Sequence, residues 1–191
     1  MFAFSKNHFK RGFTIIELLV VIAVVGVVFA MVLLSYVNVD REMVLERSAV
    51  KMVQDVRAAL GMALSASILE GNGNGFRGGY GVFFPEGENY YIIFADTGNT
   101  GIYNEGSDKD IKKVYFEDRE GTEITEVSFS GTCIPVANSI TFLPPDPEIF
   151  IGDPNDPENC IEMKITIEHR DLPEKIRKIS LNKVGRMEIE K

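Results

Sequence analysis

The chain begins with an uninterrupted apolar run and then changes to apolar positions that recur with a helical period. From Leu18 to Leu34 no side chain is polar, and about 20 apolar residues in a helix are enough to cross ~30 Å of hydrocarbon. Further on, apolar residues return every three or four positions, at Leu45, Ala49, Met52, Val53, Val56, Leu60 and Ala63. No proline occurs between Phe13 and Ile68. The pattern therefore predicts one helix, about 84 Å long at 1.5 Å per residue, that is apolar all round at first and amphipathic afterwards.

A glycine-rich segment at 71–81 ends the helical pattern, and short strands are expected after it. The apolar and aromatic runs that predict strands lie at 81–85, 90–95, 111–117, 123–130, 139–143 and 149–151. Between 161 and 168 apolar and polar residues alternate, which predicts a strand with one face in water, and 179–181 and 186–189 continue the pattern. The predicted fold class is α+β, with a long N-terminal helix packed on an antiparallel β-sheet globular domain.

One acid, Glu17, stands at the entrance of the apolar run. A carboxylate costs about 2.5–3.5 kcal/mol at the centre of a membrane helix and less near the interface. An acid in this position is a functional candidate, and a cation should accompany it. If the chain is cut between Gly12 and Phe13, the new α-amine lies one helical turn from Glu17.

Residues 10 to 18 read Lys-Arg-Gly-Phe-Thr-Ile-Ile-Glu-Leu, and this segment resembles the class III leader of type IV pilins and pseudopilins. The resemblance implies that a prepilin peptidase cleaves after Gly12 and methylates the amine of Phe13. It also implies that Glu17 acts in assembly by pairing with the Phe13 amine of a neighbouring subunit. The plain alternative is a signal anchor with a stray acid. A secretory signal peptide would need a small-residue cleavage site after the apolar run, where this chain has Met31-Val-Leu-Leu-Ser-Tyr.

Charge predicts the topology of this segment. Three basic residues, Lys6, Lys10 and Arg11, precede the apolar run without an acid beside them, so the N-terminus is expected in the cytoplasm. The expected organisation is a cleaved leader at 1–12, a transmembrane half-helix at 13–39, an amphipathic half-helix at 40–70 and a β-rich globular domain at 71–191. The protein is thus predicted to cross the inner membrane once, with its globular domain extracytoplasmic, and to enter a filament after assembly.

The order of features also resembles the GspH/FimT family of minor pseudopilins. The resemblance lies in Gly79-Tyr-Gly-Val-Phe-Phe, Tyr91-Ile-Ile-Phe-Ala-Asp, Tyr103-Asn-Glu-Gly and Ile179-Ser-Leu-Asn-Lys-Val-Gly-Arg. It implies a structural subunit of a type II secretion or type IV pilus-like filament. The implied partners are the prepilin peptidase, other pilin or pseudopilin subunits and the assembly platform. Many pilins carry a proline near the membrane exit, where this chain has Leu34-Ser35.

The alternative role is a minor pilin that binds DNA for uptake or binds an adhesive ligand. DNA-binding members of the resembled family end in a Gly-Arg-x-Arg pattern, whereas this chain has Gly185-Arg186-Met187-Glu188. Of the 20 basic and 28 acidic residues, three basic residues and one acid precede Asp40, so the remainder carries a charge of about −10. Such a surface disfavours nucleic acid and anionic lipid as partners.

Other chemistry is sparse, and neither an enzymatic activity nor a cofactor or metal is expected. The sequence contains no nucleophile-elbow, P-loop or zincin motif, and His169 is expected at the solvent end of its strand. Cys133 and Cys160 are predicted to lie in an oxidising compartment that favours a disulfide, worth ~3–4 kcal/mol by chain entropy; two buried thiols are the alternative. The polar turns at 96–105 and 153–159 have oxygen-bearing side chains that calcium could use, although neither follows the EF-hand spacing.

Overall fold

A computed structural model of the chain describes residues 12–65, 78–116, 121–132, 135–144, 148–152 and 160–190. One helix, α1, spans Ile15–Leu64. The strands are β1 Tyr80–Phe83, β2 Tyr90–Ala95, β3 Lys109–Tyr115, β4 Thr122–Gly131, β5 Ser139–Leu143, β6 Glu148–Ile151, β7 Cys160–His169, β8 Leu172–Asn182 and β9 Met187–Glu190. The chain divides into two compact units, residues 1–40 and residues 41–191.

The first unit is the apolar part of α1. Residues Ile15–Leu33 form a helical segment of 19 residues with a mean hydropathy of 3.0, and none of it is buried. By length and composition this segment can cross a membrane. The helix begins at Ile15, two residues after the predicted start, because Thr14 caps it.

The second unit contains the C-terminal part of α1 and two antiparallel sheets. One sheet has the strand order β3-β2-β1-β5-β6, and the other has the order β4-β7-β8-β9. The predicted α+β class is confirmed, and every predicted strand has a counterpart. The largest difference is β8, which begins at Leu172 instead of near Ile179. Its buried face continues through Arg177 to Ile179 and Leu181, and an arginine at a buried position hid the alternation that marks a strand.

A single apolar core joins α1 to both sheets. The predicted core positions of α1 are buried, except that Leu60 is partly exposed. Tyr91 of β2 is also buried, and its hydroxyl donates a 2.5 Å hydrogen bond to Asp55 of α1. Burial, followed by this contact with Asp55, raises the pKa of Tyr91. The amphipathic half of the helix is therefore a structural part of the domain.

Gly81 allows aromatic rings to cover one side of β1. A Cβ added to Gly81 would lie 2.5 Å from the carbonyl oxygen of Ile140 and 2.6 Å from the ring of Phe94. The ring of Tyr103 stacks on Phe83 at 4.6 Å between centroids, and it meets Phe94 edge-on at 5.0 Å. Glycine at this position thus lets the loop after β2 attach to the sheet through Tyr103.

The turn between β1 and β2 lies along the outer edge of β4. The carboxylate of Glu86 accepts a 2.8 Å hydrogen bond from the backbone N–H of Val127. Beside it, Gly87 donates its N–H to the carbonyl of Ile124, and Ile124 donates to the carbonyl of Glu88. These contacts occupy edge groups of β4 next to its bulge, which falls between Ile124 and Glu126.

His169 was expected at the solvent end of its strand, and that expectation is wrong. The residue is 2% exposed, because β7 pairs it with Thr122 of β4 and with Leu172 of β8. Its Nδ1 accepts a hydrogen bond of 3.2 Å from the backbone N–H of Asp171. His169 therefore stabilises the turn between β7 and β8.

Candidate functional site

The helix start that was identified as the assembly site is a reciprocal cap. The side-chain oxygen of Thr14 accepts a 3.2 Å hydrogen bond from the backbone N–H of Glu17. In return, Oε2 of Glu17 accepts bonds of 2.9 Å from both the backbone N–H and the hydroxyl of Thr14. This is the capping box of a Thr-x-x-Glu sequence, and it satisfies two N–H groups that a helix start otherwise leaves without partners.

The sequence analysis assigned a cation to Glu17 and missed its contact with Thr14. The missed signal is explicit in the sequence, because Thr14 stands three residues before Glu17 and an apolar run follows. Both bonds from Thr14 end on Oε2. In the described part of the chain, Oε1 of Glu17 therefore has room for a second donor. Since the box involves residues 14 and 17 alone, cleavage between Gly12 and Phe13 would leave it intact.

The described residues around the predicted cleavage point are exposed to solvent. Phe13 is 81% exposed, and a Cβ built on Gly12 meets no atom within 4 Å. A shallow cavity of about 350 Å³ on this side of the helix is lined by Phe13, Ile16, Glu17, Val20 and Val21. Glu17 is the polar member of an otherwise apolar surface. Among the described residues, both sides of the predicted cleavage point and the carboxylate of Glu17 are therefore exposed.

A second cluster of charges lies at the beginning of the globular unit, and the sequence analysis did not identify it. Arg177 of β8 has a side chain that is 5% exposed, and its Nε lies 2.7 Å from Glu46 while its Nη2 lies 3.1 Å from Glu42. Its Nη1 donates a 2.9 Å bond to the carbonyl of Ile176. The Arg177 hydrogen bond, followed by the charge of Lys175, lowers the pKa of Glu42. We call Arg177, Glu42 and Glu46 the arginine cluster.

In the turn between β8 and β9, Arg186 is paired with an acid. Arg186 forms an ion pair with Glu188, and its Nε donates a 2.7 Å hydrogen bond to Oε1 of that residue. Gly185 has a φ of 81°, and the side chain of Asn182 accepts N–H bonds from Val184 and Arg186. The acid that replaces the second arginine of the resembled pattern therefore neutralises the first.

Two acids, Asp96 in the calcium candidate at 96–105 and Asp108 just after it, bind the backbone of this loop. Asp96 is fully buried and accepts hydrogen bonds from the N–H groups of Thr100 at 2.9 Å and Gly101 at 2.7 Å. Asp108 accepts N–H bonds from Thr97 at 3.0 Å and Asn104 at 2.7 Å. Among the described residues, no group of three or more His, Cys, Asp or Glu side chains could hold a metal ion. The other candidate, at 153–159, lies outside the described residues.

Cys160, one member of the predicted disulfide, is buried at the start of β7. Its Cα is paired with that of Gly131 on β4. Cys133 lies outside the described residues, so its pairing with Cys160 stays a prediction. The register brings the chain two residues before Cys133 next to Cys160, and a disulfide requires such proximity of its two Cα atoms.

Comparison with protein families supports the interpretation of the N-terminus. Residues 7–33 match the family described as the prokaryotic N-terminal methylation motif, and this match includes Gly12, Phe13, Thr14 and Glu17. No curated protein and no solved structure matched the chain. The matched segment continues into the apolar helix at Ile15–Leu33. The chain therefore carries a type IV pilin-like, N-terminal methylation motif at the start of a candidate membrane helix.

Proposed function

We propose that this protein is a structural subunit of a pilin-like filament, and specifically a minor pseudopilin or pilin of a type II secretion or type IV pilus-like system. A prepilin peptidase cleaves after Gly12 and methylates Phe13. The subunit waits in the inner membrane with its N-terminus in the cytoplasm and its β domain outside. Assembly then moves the apolar helix into a filament with other subunits, through the assembly platform.

The observation that carries this proposal is a capped carboxylate at the entrance of a helix segment that is exposed all round. An apolar helix with no buried residue needs lipid or other apolar helices around it. The methylation motif supplies the amine that such a carboxylate requires. Because Oε2 of Glu17 is occupied by Thr14, the Phe13 ammonium of a neighbour is assigned to Oε1. Thr14 then acts as a positioning residue that fixes the orientation of the carboxylate.

The absence of a catalytic role is part of the same proposal. The charged groups of the globular unit described above bind one another or the backbone, and they do not converge in a cleft. The arginine cluster joins α1 to β8, and the acids at 96 and 108 close their own loop. These arrangements support a scaffold whose functional group lies at the helix start.

Processing is the direct test. The full-length chain, expressed with a prepilin peptidase, should lose 12 residues, and mass spectrometry should find an N-methylated Phe13 as the first residue. Gly12→Val should block the cut. Gly26→Val is the matched control, because a Cβ at either glycine meets no atom within 4 Å and Gly26 lies away from the scissile bond. An uncut wild-type chain beside a competent peptidase, or equal cleavage of both variants, would contradict the proposal.

A further inference from the structure

The five-stranded sheet carries a lysine beside two tyrosine rings near its β3 edge. Tyr90 on β2 and Tyr115 on β3 are directly opposite each other in the strand register, and their ring centroids lie 5.6 Å apart. The ammonium of Lys113 lies 3.4 Å from the ring centroid of Tyr90 and 5.5 Å from that of Tyr115. We call Tyr90, Lys113 and Tyr115 the tyrosine–lysine site.

The tyrosine–lysine site lies on the face of the sheet that is turned away from the core. Successive side chains of a strand point to opposite faces, and the adjacent residues on the two strands, Tyr91 and Val114, are buried in the core. The site itself is open, since Tyr115 is 42% exposed, Lys113 is exposed and Tyr90 is half-buried. Within the part of the chain that the structure describes, these side chains are accessible to a ligand.

Lys113 is held in place by an aromatic ring and not by an acid. Cation–π attraction to Tyr90 restrains the end of a side chain that otherwise has many rotamers. Two acids lie close by in the sequence of these strands, Asp110 and Glu88, but neither forms an ion pair with Lys113, and Asp110 accepts a hydrogen bond from the hydroxyl of Tyr103. The ammonium therefore offers its charge and its outward N–H donors to a ligand.

A restrained ammonium beside an exposed aromatic ring matches the chemistry of a carboxylated sugar. The lysine supplies a point charge for a carboxylate, and the ring of Tyr115 supplies an apolar surface for the C–H groups of a pyranose. A hexuronate carries both features on one ring, with the carboxylate at the ring edge. Because Lys113 is already restrained by Tyr90, less side-chain freedom is lost when the ligand binds.

We propose that the tyrosine–lysine site binds uronic-acid units of an acidic polysaccharide. The carboxylate pairs with Lys113 while the sugar ring lies against Tyr115. From Asp40 onward the chain carries about −10, which repels densely charged polyanions. Double-stranded DNA carries one charge per about 1.7 Å of its axis, whereas a uronate carries one charge per sugar ring, so a local cation can determine its binding. The inference does not depend on the proposed filament function.

Titration of the full-length protein with trigalacturonate tests the site, in a detergent without a sugar headgroup and with calorimetry as the readout. Wild-type protein should show saturable binding with a Kd of about 1 mM or tighter. Lys113→Gln removes the charge and Tyr115→Ala removes the ring, and each should weaken binding at least about tenfold. The methyl ester of the same trisaccharide has no charge and should also bind at least about tenfold more weakly.

The matched control is Lys112→Gln, which makes the same change of charge one position away. Lys112 pairs with Ile93, a core residue, so it lies on the other face of the sheet and its variant should bind like the wild type. Because Lys113 is exposed, Lys113→Gln decides the test if Tyr115→Ala does not fold.

Three results would overturn the inference: no saturable binding, equal binding of the methyl ester, or equal losses from Lys112→Gln and Lys113→Gln. Tighter binding of a tripeptide of glutamate would overturn it as well, because the site would then fit an acidic peptide. Cleavage before Phe13 has no part in this titration, so each of these results leaves the proposed function as it stands.

Discussion

The arginine cluster predicts an unexpected order of stabilities. Removal of its two half-exposed acids should destabilise the domain more than removal of its buried base. The side chain of Arg177 is 5% exposed, while those of Glu42 and Glu46 are 43% and 40% exposed. Without the base, both carboxylates can return to water. Without the acids, a guanidinium remains in a buried position, where an unpaired charge is strongly unfavourable.

The magnitudes follow from these exposures. Leaving one buried charge unpaired costs about 3–5 kcal/mol, and the low end applies because Arg177 keeps its bond to the carbonyl of Ile176. The variant Glu42→Ala/Glu46→Ala should therefore lose about 3 kcal/mol of unfolding free energy. Arg177→Met keeps the length of the side chain and should cost at most about 1 kcal/mol, since it leaves no buried charge and the two half-exposed carboxylates can return to water.

Thermal unfolding of the full-length protein in detergent measures the difference. At about 2–4 °C per kcal/mol for a domain of this size, the double variant should lower Tm by about 6–12 °C and Arg177→Met by at most about 4 °C. The triple variant should recover to the Arg177→Met value, because no buried charge remains. Arg41→Ala, which breaks an exposed pair with Asp171, is the control and should change stability by less than about 1 kcal/mol. A larger loss for Arg177→Met than for the double variant would refute this reasoning.

Three further predictions concern the helix start, the pH response and nucleic acid. Glu17→Gln can keep the capping box and Glu17→Ala cannot. Both variants lose the charge, so both should reduce crosslinking to the major filament subunit while the amount of subunit in the membrane is unchanged. Normal incorporation of both would exclude an assembly role for Glu17. The pKa of Glu42 is lowered from 4.5 in the folded protein. Its contribution to stability is therefore present above pH 4.5 and is lost as the pH falls through the folded-state pKa. Glu42→Gln should flatten the dependence of Tm on pH below pH 4.5 and not above it. Gel shifts of the full-length protein should show no DNA binding tighter than non-specific levels of ~10⁻⁴–10⁻⁶ M, because Glu188 neutralises Arg186; submicromolar, salt-sensitive binding would contradict this.

The helix and most strands could be predicted because their apolar residues recur with a clear period. Ser139–Leu143 and Tyr90–Ala95 have the predicted bounds, since turn residues flank both runs. The start of β8 could not be found from periodicity, because Pro173 and the buried Arg177 interrupt its apolar pattern. An arginine is buried there only because two acids lie 131 and 135 residues earlier in the chain, and spacing along the sequence cannot reveal that pairing.

The candidate site was predicted in part. The sequence indicated Gly12, Phe13 and Glu17 through a motif, and the family comparison confirms that a methylation motif covers them. The cap between Thr14 and Glu17 is predictable from the Thr-x-x-Glu spacing before an apolar run.

The turn that contains Glu86 bears on how these subunits can coexist at high density. An edge strand with unpaired backbone groups can pair with a strand of another chain. Membrane-anchored copies held side by side would bring such edges together often. Here Glu86 occupies the N–H of Val127, and the neighbouring backbone of the turn occupies both groups of Ile124. Three lysines, at 109, 112 and 113, lie on β3, which is an edge strand of the five-stranded sheet. Charged side chains on an edge strand oppose its pairing with another chain. If the protein assembles as proposed, neighbouring copies would meet at these two edges through side chains, and strand pairing between copies is disfavoured there.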